Sequence, residues 1–195
     1  NFPDVDTTAI TYYRRELDME TGIATVTYKS GDITYRREVF VSYPDKVMVV
    51  HVSTDKKGSL NVQATVKTAF TDIITNERNA LVIDGTWKNT KPQVNSWNWL
   101  IADSKDTGMR FRVAVNAMAE GGTVEISDGK IDIRGSDAIT FILSAATSYV
   151  NYDDISADPA ERTDKVLSSI SGKSYTDLLK THIADFSNLM GRVHL

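Results

Sequence analysis

The strongest constraint on this chain is a period-two pattern that runs through most of it and is cut repeatedly by short turn signals. Ala24, Val26 and Tyr28 alternate with Thr25 and Thr27. Apolar side chains then share one face of an extended segment and hydroxyls the other. Lys29-Ser30-Gly31-Asp32 supplies a turn, and Ile33, Tyr35 and Arg37 line one face of the next segment. Its end, Val39-Phe40-Val41, is apolar enough for burial on both faces, until Tyr43-Pro44-Asp45 breaks the run. Val47 to Val52 follows, then Lys56-Lys57-Gly58, then Leu60, Val62, Ala64 and Val66 in clean alternation. The pattern returns at Phe111, Val113, Val115 and Ala117. Gly121-Gly122 leads to Val124 and Ile126, and Asp128-Gly129 is a hairpin signal before Ile131 and Ile133. Gly135-Ser136-Asp137 opens a last strand, Ala138–Ala146. Strands this closely spaced pair antiparallel and predict a mainly β fold, a sandwich or barrel. The middle is less regular. Thr68–Asn79 is polar with scattered apolar residues, Leu81-Val82-Ile83 reads as a short strand, and Thr86–Thr107 has no sustained period.

The last fifth changes period. Asp158-Pro159 reads as an N-cap with proline at the first helical position. Val166, Leu167 and Ile170 recur at helical spacing, and Gly172 ends the segment. Ser174-Tyr175-Thr176-Asp177 resembles a capping box with Asp in the usual place of Glu. Tyr175, Leu178, Leu179, His182, Ile183, Phe186, Leu189 and Met190 then form one stripe. The boundaries predicted are a β domain over 1–157 and a helical linker over 158–195.

The chemistry available to the chain is narrow. It has 195 residues, no cysteine and only three histidines, His51, His182 and His194. A thiol nucleophile, a disulfide framework and a cysteine-ligated metal are excluded, and a multi-histidine metal site nearly so. No metal and no cofactor is expected. The net charge is -4 with no basic tract, so no nucleic-acid partner is expected. The longest apolar stretch, Ala138–Ala146, is too short to span a bilayer.

Trp87, Trp97 and Trp99 fall in the irregular segment with Asn95, Asn98 and Asp103. Exposed indoles stack on the C–H face of sugars, so this is the candidate sugar-contact loop; the competing reading packs the rings into the domain. Asp153, Asp154 and Asp158 cluster without matching a calcium-loop pattern and read as a solvated loop leading to a helix cap. His182 has Asp185 three residues on, a pair suited to acid–base work, but a lone histidine at a helix contact reads first as one that hydrogen-bonds a backbone carbonyl. Ser144, Ser148 and Tyr149 lack a nucleophile-elbow motif. The doublets Arg14-Arg15 and Arg36-Arg37 call for carboxylate partners, with Glu16 and Glu38 at hand. Glycoside hydrolysis needs two placed carboxylates, and no pair stands out. No catalytic residue is assigned, and the chain alone does not read as an enzyme.

Two stretches carry a resemblance. One is Tyr13-Arg14-Arg15-Glu16-Leu17-Asp18, followed by Thr21-Gly22-Ile23-Ala24 and Val26-Thr27-Tyr28. The other is Ile33-Thr34-Tyr35-Arg36-Arg37-Glu38-Val39-Phe40-Val41-Ser42-Tyr43-Pro44-Asp45. They resemble the N-terminal β-sandwich domain of glycoside hydrolase family 95, the α-L-fucosidases. Ala146-Thr147-Ser148-Tyr149 and His182-Ile183-Ala184-Asp185-Phe186 resemble that family's passage into linker helices. The resemblance implies an antiparallel super-sandwich lacking its first strands, with two linker helices leading to an absent (α/α)6 barrel. That barrel, in the same parent chain, would hold the catalytic groups and act on an oligosaccharide with terminal α-L-fucosyl or α-L-galactosyl linkages. Tyr175, Leu178, Leu179, His182, Ile183 and Phe186 are the expected domain interface, against the sandwich or the barrel. Periplasmic or extracellular location is expected on the same ground. A further reading is a purely structural domain of a different sugar-processing enzyme that shares this sandwich, since maltose-type phosphorylases carry a similar domain. The alternative from another class is a stand-alone carbohydrate-binding or adhesin module using the tryptophans.

Overall fold

The structure, a computed structural model, describes residues 2–66, 72–77, 80–87 and 108–192. Alternation dictates extended backbone, and tight turns fold it into hairpins. β1 (Ile10–Asp18), β2 (Ile23–Ser30), β3 (Ile33–Ser42) and β4 (Val47–Thr54) pair in succession. β5 (Leu60–Thr65) leaves for a second sheet, and β6 (Asp72–Glu77), β7 (Ala80–Trp87) and β8 (Met109–Glu120) return to the first. β9 (Thr123–Ser127) and β10 (Lys130–Ser136) join β5, and β11 (Ala138–Thr147) inserts between β4 and β8. The large sheet runs β1-β2-β3-β4-β11-β8-β7-β6 and the small one β5-β10-β9, with antiparallel pairing in the recorded registers. The fold is thus mainly β and antiparallel with two helices, as the spacing of the alternating segments predicts.

Because side chains alternate along a strand, the large sheet has two faces to bury. On one, Tyr35, Val52, Leu81, Val115, Ile139 and Phe141 meet Leu60, Val62, Ile131 and Ile133 of the small sheet. On the other, Ile23, Phe40, Val47, Val49 and Ile142 are covered by Ile170 and Leu178. These last residues belong to the segment of α1 (Pro159–Ser169) and its end, and to α2 (Tyr175–Met190). Asp158 caps α1 by accepting from the Ala160 amide at 2.8 Å. Ser174 and Asp177 form the reciprocal capping box that the sequence signals.

Two strands differ from the sequence reading. β6 falls in the stretch read as irregular, and β7 extends to Trp87, beyond Leu81–Ile83. β6 is an edge strand, and Ile73 and Ile74, on opposite faces, are both exposed. With no face to bury, it needs no alternation.

Leu60→Ala should destabilise the chain by about 2–5 kcal/mol in urea titration, because Leu60 is wholly buried between the sheets. Glu125→Ala on the exposed side of β9 should stay within about 0.5 kcal/mol of wild type.

Candidate functional site

Strand register places one polar row inside an otherwise apolar face. Glu38 pairs with His51 across β3–β4, and His51 with Thr140 across β4–β11. All three side chains therefore point toward α2. His51 Nδ1 lies 2.9 Å from Thr140 Oγ1. The Tyr175 ring stacks on the His51 imidazole, with centroids 3.8 Å apart, and its hydroxyl donates to Glu38 Oε2 at 3.0 Å. Arg36 donates to the other oxygen of Glu38 at 2.9 Å. One phenol thus bridges a helix to two strands.

The rest of α2 follows from that contact. Lys173 donates to Asp45 Oδ1 at 2.6 Å, and Ser42 Oγ donates to Asp45 Oδ2 at 2.7 Å, fixing the helix entry to the β3–β4 turn. Leu178 is wholly buried, and Tyr175, Leu179 and Ile183 pack around it. His182 is buried with its ring stacked on Phe40 at 4.7 Å. Phe186 tilts against His182 and lies over Gly22, whose positive φ and missing Cβ make the room; a Cβ there would meet the ring at 2.7 Å. Ser187 Oγ donates to the Glu20 carbonyl at 3.0 Å. The helix therefore runs from the β3–β4 turn to the β1–β2 turn, across β3.

The electrostatics freeze the cluster rather than activate it. Burial pushes the Tyr175 hydroxyl above its ordinary range, and the Glu38 charge adds to this, so it stays a donor. Burial opposes the charge on Glu38, but hydrogen bonds from Arg36 and Tyr175 together hold its carboxyl below the usual range. Burial lowers the His51 pKa against the pull of Glu38 and Glu120. Near neutrality the set is a phenol, a carboxylate and a neutral imidazole, with matched donors and acceptors. Each is engaged inside the protein, and none is presented to a ligand.

The other sequence candidates are dispersed. Trp87 ends β7 and is partly exposed. Trp97 and Trp99, with Asn95, Asn98 and Asp103, lie outside the described residues. Asp154 accepts from the Ser156 amide at 2.8 Å, in keeping with a loop-capping role for that cluster. Arg14 pairs with Glu16 and Arg36 with Glu38. A groove of about 470 Å³ opens between α1 and β7–β8, lined in part by Glu77, Asn116 and Asp164. At its edge Arg112 holds Asp84 at 2.6 Å and Glu77 at 3.2 Å. Sequence reasoning missed His51, Glu38, Asp45 and Lys173 as a set. The available signal was a single histidine inside the apolar run Val47–Val52.

Two antiparallel sheets, with a helix locked onto the outer face of the larger, define a β-sandwich-type domain. Family comparison makes this specific. The profile described as glycosyl hydrolase family 65, N-terminal domain, matches residues 4–152, and the chain belongs to that domain family. It is 30% identical over 200 residues to Alpha-L-fucosidase 2 of Arabidopsis thaliana, spanning 94% of this chain and 23% of that protein. It is 28% identical over 191 residues to Probable alpha-fucosidase A of Aspergillus oryzae, spanning 91% of this chain and 24% of that protein. The chain thus spans about a quarter of the length of these relatives. A putative kojibiose phosphorylase from the human microbiome shares the fold, with a TM-score of 0.58 at 11% identity over 94% of this chain and 25% of that one.

Tyr175→Phe should cost about 1.5 kcal/mol, the net value of one hydrogen bond to a charged acceptor. Tyr175→Ala, which also removes the ring from His51, should cost about 3–5 kcal/mol. Both are read by denaturant unfolding. The pH dependence follows from the signs. His51 has a lowered folded pKa, so the unfolded chain takes up its proton first as pH falls below about 6.5. Stability should decline from there down to the folded value. Glu38 adds a further loss as pH falls below about 4.5 toward its own lowered value. His51→Gln should flatten the first decline and leave the second, as read by thermal unfolding across pH.

Proposed function

We propose that this chain is the non-catalytic N-terminal domain of an α-L-fucosidase-like glycoside hydrolase of the family 95 kind, and that it braces a catalytic (α/α)6 barrel in the same polypeptide. The parent enzyme would remove terminal α-L-fucosyl or α-L-galactosyl groups from oligosaccharides. The observation that carries this reading is the coverage of the two fucosidases. Each aligns with nearly all of this chain, and the chain accounts for only about a quarter of each. The Tyr13–Asp18 and Ile33–Asp45 stretches support the family 95 assignment within the broader domain family.

The placement of charged groups supports a bracing role. An inverting glycosidase needs an acid and a base facing each other across the glycosidic bond, about 6.5–9.5 Å apart. Here Glu38 and Asp45 are spent on fixing α2, and Asp84 and Glu77 on Arg112.

Incubated with an aryl α-L-fucoside, the isolated chain should release no fucose above the buffer rate, whereas the complete polypeptide that carries it should. Release by the isolated chain would overturn the non-catalytic assignment. No release by the complete polypeptide would overturn the fucosidase reading.

A further inference from the structure

The two ends of the large sheet differ in character. At one end lie the β2–β3, β4–β5, β8–β9 and β10–β11 turns, made by Gly31-Asp32, Asp55–Ser59, Gly121-Gly122 and Asp137. Their own carboxylates satisfy their backbone. Asp55 Oδ1 accepts from the Thr34 amide at 2.8 Å, and Asp137 Oδ1 from the Gly58 amide at 2.6 Å. Lys56 pairs with Asp32 at 2.8 Å. This end is polar and closed.

The opposite end holds the β1–β2 turn, the β3–β4 turn and the segment between β11 and α1. It presents Met19 at 62% exposure, Tyr43 at 76% and Tyr152 at 91%, with Tyr149 and Val150 also exposed. Leu189 of α2 is exposed near the β1–β2 turn, where the helix finishes beside Glu20. Exposed apolar side chains also stand along the strands, among them Tyr12 and Tyr13 of β1, Ile73 and Ile74 of the edge strand β6, and the cross-strand pair Val41 and Met48. Large apolar groups gathered on several separate turns at one end are not ordinary, because a solvated turn gains nothing from them.

The segment that carries the tyrosines is also held rigid. Arg162 donates to the carbonyls of Thr147 at 2.8 Å and Tyr149 at 2.7 Å. Arg110 donates to the Ala157 carbonyl at 3.0 Å. The Ser148 amide donates to the Arg110 carbonyl at 2.9 Å, and the Arg110 amide to Ser148 Oγ at 3.0 Å. A bridge between Asn151 and Asp154 closes the turn around Tyr152. Two arginines and a buried serine thus hold an exposed tyrosine hairpin in one shape. Tyrosine offers large contact area at little entropic cost, and preorganised backbone lowers the cost of association further.

We infer that this end of the sheet, formed by Met19, Tyr43, Tyr149, Val150, Tyr152 and Leu189, is the surface on which the catalytic domain of the same polypeptide docks. The inference rests on the accessory-domain reading above. Two observations favour that occupant. The relatives that match this chain hold about three quarters of their length outside the aligned part. And α2 finishes at this end of the sheet, beside the β1–β2 turn, so a domain that continued from it in the same polypeptide would be tethered next to the apolar surface at high effective concentration.

Site-specific photo-cross-linking in the complete polypeptide tests this. A photoreactive phenylalanine replaces Tyr43, Tyr152 or, at the polar end, Lys57. Cross-links from positions 43 and 152 to peptides beyond residue 195, with none from position 57, are expected. Cross-links from position 57 to those peptides and none from 43 or 152 would overturn the assignment. So would cross-links from 43 and 152 that join two copies or return within residues 1–195. Fucoside hydrolysis on the same preparation is scored separately. Its absence alongside the expected cross-links would defeat the fucosidase reading and leave the docking surface standing.

Discussion

The structure depends on one constraint: the central strands of its large sheet are apolar on both faces, so each face must be covered by something. Val49 and Val52 of β4 are both buried, on opposite sides of the same strand. The same holds for Ile139 and Ile142 of β11. The small sheet covers one side and the helices the other. Burial of a Leu or Phe side chain is worth about 1.5–3 kcal/mol, so leaving either face open would forfeit several such contributions. The helices at the end of the chain are therefore part of what holds the β domain together.

That constraint explains why a polar row was set into the helix-facing side. Apolar packing alone leaves a helix free to slide or rotate on a sheet, since dispersion contacts are not directional. The Tyr175 hydroxyl on Glu38 and the Lys173 ammonium on Asp45 have fixed geometry and fix the helix in one register. The buried Asp45 and half-buried Glu38 carboxylates are stabilised only while their partners are present, which ties helix placement to the charge state of the row.

Much of the β architecture was legible in the sequence because alternation reports burial of one face. β5 and β10 show it through Leu60–Val62 and Ile131–Ile133, whereas in β2 Ala24, Val26 and Tyr28 are only half-buried and Thr25, on the face read as polar, is buried. The capping box at Ser174–Asp177 and the proline at the start of α1 marked both helix starts. β6 was illegible because an exposed edge strand has no pattern to impose. The ring stack was illegible for another reason. Glu38 and Tyr175 are 137 residues apart, and strand register and helix position together decide which lone polar residues meet. The aromatic turns looked like ordinary loop residues until the topology gathered them at one end.

The central claim is that α2 and the sheet form a single cooperative unit. Native-state hydrogen exchange on the isolated chain tests it most directly. The account predicts that amides of Leu178, His182 and Ile183 open with the same free energy as those of Val49 and Ile142, at the global stability of the domain. Exchange of the α2 amides through a local opening several kcal/mol below that of β4 and β11 would contradict it.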